Sequence, residues 1–493
     1  MNTKALRQKV LDLAIHGKLV PQNSNDESAT VLLEKFRAEK AEKIKKGELK
    51  ADKKDSFIFV GSDKRHYEQF ADGTVKDIED EIPFDVPAGW AWCRFGNFID
   101  VRDGTHYSPK YVEKGYPFVT SKNLVNGKID FTDVKYISEK DHNDYIQRSY
   151  VEDGDILFAM IGSIGNPVLV KKDREFSIKN VALFKPYSKQ LTNMNYLFYF
   201  LLWIQENLRS KAKGGMQPFI PLSFFRTEVL IPIPPAEEQF RIVSNIEENL
   251  SKIDFIEENK RDLENIIKQA KSKILDLAIH GKLVPQDPND EPAEELLKRI
   301  ATSDNRPYEK MDESEKLFEA PTSWCWSKLK NICSDFIVPQ RDKPKVFDGN
   351  IPWCRIEDIE GKYLKRSLSN QLVSKETIKQ MNMHICPVGS VICSCSASLG
   401  IQAITTVECC TNQTFIGIAP VNSVLYNEYL FYYLKAHTKY FHEIATGTTI
   451  KYISRDKFEE LPFALPPFEE QKRIVSKIEE LYSKLDEIVL NLV

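Results

Sequence analysis

No glycine-rich loop in this chain has the dinucleotide or Walker spacing that cradles a phosphate. No Asn-Pro-Pro-aromatic stretch of the kind used by amino-methyltransferases occurs either. Cysteine is present but unframed. The nine residues are an odd number without disulfide spacing, which points to reduced thiols in a cytoplasm. Cys393, Cys395, Cys409 and Cys410 cluster, but C-x-C and C-C are poor zinc spacings, so no metal site is expected. No uncharged apolar run is long enough to span a membrane, and the N-terminus lacks a signal-peptide apolar core. Net charge is only −4, so nothing global announces nucleic acid. His106, in RDGTHYSP, has the polar neighbours of a catalytic base, of a loop contact or of a surface histidine. The pattern is that of a reader without catalysis of its own.

What the chain does have is a repeat. LDLAIHGKLVPQ occurs at Leu11–Gln22 and, letter for letter, at Leu275–Gln286. PPAEEQFRIVSNIEENLSKID at Pro234–Asp254 matches PPFEEQKRIVSKIEELYSKLD at Pro466–Asp486. Identity over so long a stretch marks an internal duplication. The segment 234–286 is thus one whole element, and residues 1–22 and 466–493 are its two halves.

The element has the signature of a long helix. Acidic Glu237 and Glu238 follow a proline pair, as the helix dipole favours. Apolar residues then recur at three–four spacing: Val243, Ile246, Leu250, Ile253, Ile256, Leu263, Ile267, Ala270, Ile274 and Leu277. Gly281 and Pro285 supply a left-handed stop and a block to continuation. His16 and His280 sit where an imidazole meets the last carbonyls. A helix of about 45 residues is roughly 70 Å long. It cannot bury one stripe alone. Its natural partner is the matching stripe at the chain ends: Leu6, Val10 and Leu13, with Ile474, Ile478, Leu481, Leu485, Ile488 and Leu492. The competing reading is a core helix inside one globular domain, which the charged flank EENKRDLEN disfavours.

Between the helices lie two domains of similar size, 86–233 and 321–465, reached through linkers at 23–85 and 287–320. The first linker is dense in lysine and glutamate over Glu34–Lys54 and reads as a solvated helix or mobile arm. Each domain opens on Trp-x-Trp, at Trp90–Trp92 and Trp324–Trp326. Each has a glycine turn before a short apolar strand, at Gly154–Ile161 and Gly389–Cys395. Each carries an aromatic helix, at Asn195–Leu202 and Glu428–Lys435, and then a glycine loop at Gly214–Gly215 or Gly447. The letters in between differ almost completely. A shared scaffold with divergent loops is how one fold presents two specificities. The short β-branched runs predict mixed α+β domains. Residues 86–234 carry 19 basic against 15 acidic groups, and residues 321–466 carry 16 against 13. Mildly basic domains on an acidic spacer suit DNA contact, though an ordinary solvated surface explains the balance equally well.

These motifs together resemble the specificity subunit of type I restriction–modification systems, over essentially the whole chain. The resemblance implies an α+β fold of two target-recognition domains. Long conserved helices join them as an antiparallel coiled coil with a pseudo-two-fold repeat. It implies double-stranded DNA as ligand, read as a split target with one half per domain and the helices setting the spacer. It implies two methylation subunits, which bind S-adenosylmethionine and methylate adenine, and restriction subunits that use ATP and Mg. No cofactor is expected in this chain. Polar side chains read base edges while basic groups hold phosphates. The candidate contacts are Thr105, His106, Tyr107, Ser121, Lys122, Asn123, Lys211, Lys213 and Gln217 in the first domain. In the second they are Gln340, Arg341, Arg355, Lys362, Thr448, Thr449 and Lys451. A coiled-coil scaffold for protein partners, an anti-restriction decoy and a nuclease with an unrecognised site are the competing functions.

Overall fold

The computed structural model describes residues 2–49, 54–213, 218–303 and 310–491. The chain divides into two compact units, residues 1–259 and 260–493. The central helix Ala236–Ile279, 44 residues long, gives its first half to one unit and its second half to the other.

In the first unit, the N-terminal helix Thr3–Ile15 starts on Asn2, whose side chain accepts from the Ala5 N–H. It runs antiparallel to the central helix: Arg7 pairs with Asp254 and Glu257, while Gln22, beyond its end, reaches Glu238. The His16 ring N–H donates to the Asp12 carbonyl at 2.7 Å, and Gly17 turns the chain at φ +65°. A Cβ at Gly17 would lie 2.3 Å from Pro87, so close packing as well as backbone favours glycine.

The expected stripe on this helix is displaced. Leu11, Ala14 and Ile15 are buried, whereas Leu6 is exposed and Val10 and Leu13 are only half-buried. The helix packs on Trp90 and its domain as well as on the central helix, and that shared burial rotates the covered face. On the central helix, Val243, Ile246, Ile253 and Ile267 are buried as the spacing predicts. Ile256 is exposed, because Glu257 takes the partner-facing place with Arg7.

The charged segment after residue 28 forms a helix, Ala29–Lys45, docked through Ala29, Leu32 and Phe36. A three-stranded antiparallel sheet follows, Ser56–Val60, His66–Phe70 and Val75–Asp77. It is tied to the next domain by a buried ion cluster. Arg94 bonds both carboxylate oxygens of Glu68 and one of Glu81, at 2.6–3.2 Å.

The domain proper holds a four-stranded antiparallel sheet, ordered Gly165–Leu169, Ile156–Ala159, Val181–Pro186, Ile99–Asp103. Side chains alternate across it with the period of two that a strand imposes. Ile156, Phe158, Ala182 and Phe184 face the aromatic helix Met194–Ser210. Leu157, Ala159, Val181 and Leu183 face a second, smaller sheet built on Tyr116–Val119. Both faces are covered, which is why these strands read as continuous apolar runs. Strand Ala91–Arg94 pairs with Leu230–Ile233, so the domain's entry and exit are hydrogen-bonded to each other.

The second unit repeats the plan. Its five-stranded sheet runs Cys333–Ile337, Phe415–Pro420, Val391–Ser394, Gln402–Thr405, Tyr363–Leu364. The smaller sheet is built on Ile351–Cys354, the aromatic helix is Asn427–Ala436, and Cys325–Lys328 pairs with Pro462–Leu465. The short helix Ala293–Ser303 takes the place of Ala29–Lys45. The C-terminal helix Phe468–Leu490 lies antiparallel on the central helix: Asp486 pairs with Lys271 and Arg473 with Asp290. Leu492, expected to continue its stripe, lies outside the described residues.

One joint is built twice. Trp90 Nε1 donates to Glu238 at 3.0 Å and Gln22 Nε2 at 2.8 Å. Trp324 Nε1 donates to Glu470 at 3.0 Å and Gln286 Nε2 at 2.7 Å. Each joint ties the first strand of a domain, the end of one helix and the start of the next to a single buried carboxylate. Burial raises both carboxyl groups above their ordinary range, against the hydrogen bonds that lower them.

Candidate nucleic-acid interface

In the first unit, strand Ile99–Asp103 delivers the loop that follows it to one end of the sheet. Gly104 is required there, since a Cβ would meet the Ile178 carbonyl at 2.3 Å. Thr105 then bonds the same carbonyl through its N–H, at 3.1 Å, and bridges to Lys179. His106 and Tyr107 follow on the surface, with Tyr107 79 % exposed. The 3₁₀ turn Ser121–Asn123 lies alongside. Asn123 is buried and holds that turn: its Oδ1 accepts from the N–H and hydroxyl of Thr120, both at 2.9 Å.

The turn between adjacent strands, Lys179–Asn180, joins these two loops. Asn180 sits in the left-handed region at φ 54°, and its Oδ1 lies 2.7 Å from His106 Nδ1. The Ser121 hydroxyl reaches the Asn180 carbonyl at 3.5 Å. A cleft of about 470 Å³ opens among Ser121, Lys122, Asn123, Lys135, Lys179 and Asn180. Its far wall is Ile161–Ser163. Ile161 bridges to Phe219, which also pairs with Lys213, so these two residues flanking the glycine loop are tied to that wall of the cleft. Gln217 lies outside the described residues. Lys211 and Lys213 are exposed at the loop's near end.

The second unit builds its loop by the same bridges. Ser396 and Thr446 both pair with Tyr452, as Ile161 and Lys213 pair with Phe219. Thr448, Thr449 and Lys451 are exposed on that loop, and Gly447 has φ 105°. Arg355 leads the 3₁₀ turn Ile356–Asp358, the counterpart of Ser121–Asn123, with its N–H on Asp358 at 2.7 Å. Counting from the paired strands, Gln340 and Arg341 occupy the places of Thr105 and His106.

Asn123, Gln340, His106 and Lys362 are among the candidates with polar groups already committed inside the protein. Asn123 holds its own turn, and Gln340 donates to the Met381 carbonyl at 3.0 Å. Both ring nitrogens of His106 are engaged, one by Asn180 and one by Asp103. Lys362 is clamped between Glu428 and Glu479, which push its ammonium above the ordinary lysine range despite burial. It also sits beside Tyr363, which is reached from the Val391 end of strand Val391–Ser394, whereas the Ser396 loop lies beyond the Ser394 end. The structure therefore does not bring Lys362 to the loop cluster.

Sequence reasoning missed Lys135, Ser163, Lys179, Asn180 and Arg148. Asn180 carried a local signal, since asparagine tolerates the left-handed turn. Lys135, Ser163 and Lys179 carried none, because only strand pairing brings them to the cleft, and neither did Arg148, which a docked helix brings to Asp103.

The family model for the type I restriction modification DNA specificity domain matches residues 87–265 and again 324–491, and the chain belongs to that family. It is 27 % identical over 567 aligned residues to the type I restriction enzyme EcoAI specificity subunit of Escherichia coli, covering 97 % of this chain and 88 % of that one. It is 24 % identical over 565 residues to the EcoEI specificity subunit of Escherichia coli, covering 98 % and 90 %. A chain from a structure of a type I restriction–modification system, solved for its complex assembly and conformational transition, matches with a TM-score of 0.55. That match has 21 % identity and covers 83 % of this chain and 94 % of the other, so it speaks for the fold.

Proposed function

We propose that this chain is the DNA-reading specificity subunit of a type I restriction–modification complex, with no catalytic role of its own. Domains 86–233 and 321–465 each read one half of a bipartite double-stranded target. The helices hold the two domains and dock two methylation subunits. Those partners bind S-adenosylmethionine, and restriction subunits bring ATP and Mg. One observation carries the reading. The segments closed at Phe219 and at Tyr452 are anchored by the same pair of bridges yet differ in sequence. One scaffold offering two unlike polar surfaces is what reading two unlike half-sites requires.

In this reading Thr105, Tyr107, Ser121, Lys122, Lys211, Lys213 and Gln217 contact the first half-site. Arg341, Arg355, Thr448, Thr449 and Lys451 contact the second. Asn123, His106 and Gln340 shape the loops behind them. The test is to co-express the chain with a methylation subunit that assembles with it and map methylated adenines genome-wide. A split target that disappears without this chain is expected. Methylation that is unchanged in its absence would overturn the proposal.

A further inference from the structure

Asp103 ends its strand almost fully buried, at 5 % exposure, yet two cationic or polar side chains converge on it from the surface. His106 Nε2 lies 2.9 Å from one carboxylate oxygen, and Arg148 bonds the other. Arg148 comes from the helix Glu139–Ser149, a segment with no motif. That helix is rigidly docked. His142 stacks on Tyr116 at 3.9 Å with its Nδ1 2.9 Å from the Ser177 hydroxyl, and Tyr145 stacks on Phe118. Arg148 extends the same face by a further three residues. Its side chain stays 69 % exposed, and no other bond to it occurs among the described residues. A buried carboxylate thus holds one terminal nitrogen of the guanidinium, and the group stays largely exposed beside the loop Thr105–Tyr107.

We propose that Arg148 is a base-reading residue of the first domain, with Asp103 and His106 as its positioning residues, and that it recognises a guanine. The inference rests on the DNA-reading role proposed above. Two physical arguments favour a base over a phosphate. The Asp103 charge behind the guanidinium offsets its attraction for the phosphate backbone, whereas the exposed lysines Lys122 and Lys213 carry no ion pair among the described residues. A guanidinium held through one nitrogen still has paired N–H donors at the spacing of guanine O6 and N7. Holding it in place removes the rotamer freedom that would otherwise blunt discrimination. In the second domain the position of Asp103 falls on Val338, so no such device exists there.

The experiment uses the complex of the full chain with its methylation subunits. Binding is measured on duplexes carrying each base pair in turn at every position of the first half-site, at two salt concentrations. For Arg148→Ala and Arg148→Lys, preference for guanine at one position should fall on the order of 10–100-fold. Preferences elsewhere, including the whole second half-site, should stay. Asp103→Asn should relax the same position less. Lys122→Ala should weaken all sequences evenly and flatten the salt dependence. If Arg148→Ala behaves like Lys122→Ala, the residue is a phosphate contact and the inference fails. Unaltered base preference in Arg148→Ala, with an unchanged melting temperature, also overturns it. A wild-type complex without any base preference would instead sink the DNA-reading role itself.

Discussion

Ile246 and Ile478 occupy the same position of the duplicated helix start, and both are fully buried. Ile246 packs in the core of the first unit, with Leu11, Ala14, Ile15 and Trp90. Ile478 packs in the core of the second, with Leu275, Ala278, Trp324 and Tyr429. Truncating either to alanine leaves a void that costs about 2–5 kcal/mol, more where neighbours cannot collapse. Here they are held. Trp90 and Trp324 are pinned by hydrogen bonds to Glu238 and Glu470, and the facing helices are tied by the Arg7–Glu257 and Lys271–Asp486 ion pairs. The upper half of that range is therefore expected, about 3.5–5 kcal/mol. For a unit of this size each kcal/mol lowers the melting temperature by about 2–4 °C, so the shift should be about 7–20 °C. The two cores share no residue, so calorimetry should show two transitions. Ile246→Ala should move one and Ile478→Ala the other. A common shift of both transitions by either variant would refute the separation of the cores. A loss under about 1 kcal/mol would refute the packing argument.

Burial of His437 against the Tyr433 carbonyl pushes its pKa down to about 4. The unfolded chain then takes up the proton first, so the second unit should lose roughly 3 kcal/mol between about pH 6.5 and 4. Above that window this contribution is complete. His437→Asn, which keeps a donor for the carbonyl, should flatten the loss in a melting series, and parallel curves would sink the idea. Glu470, whose carboxyl is raised by burial, works in the opposite direction in the same unit and is unaffected by that variant. Arg94→Met strips the buried Glu68 of its counter-charge and should cost about 3–5 kcal/mol by urea unfolding, with partial recovery when Glu68→Leu is added. Exchanging residues 86–233 for the same domain of a relative should alter one half-site in the methylome, and a chimera with both halves changed would contradict one-domain-one-half reading. Four residues inserted after Asn259, about one helical turn, should lengthen the preferred spacer or abolish methylation. A spacer indifferent to the insertion would remove the helix as its determinant.

Much of the scaffold could be read from letters, because the features involved are local or repeated. The LAIHGKLVPQ end places a left-handed glycine and a proline where a helix must stop, and Gly17 and Gly281 adopt φ +65° and +67°. The aromatic helices and the three–four stripe through Ile246, Ile253 and Ile267 follow from side-chain period alone. A stripe says that a face is covered but not how the covering is shared. Hence Ile256 and Leu6 lie outside the covered face, because Arg7 meets Glu257 and the N-terminal helix packs on two neighbours.

The site was less legible, for a different reason. Sequence put Thr105, His106 and Tyr107 among the candidate DNA contacts for their polar side chains. What a side chain can do there depends on which of its atoms remain unpaired, and that is decided by residues far along the chain. Asp103 and Asn180 take both nitrogens of His106, and Asn180 lies 74 residues away. Arg148, 45 residues on, is brought to Asp103 by a helix whose docking rests on the His142 and Tyr145 stacks. The chain by itself determined that there would be two like domains on duplicated helices, since period, caps and repeats act over a few turns. Only the tertiary structure decided which polar groups face outward, because hydrogen bonds between strands distant in sequence consume some donors and leave others free.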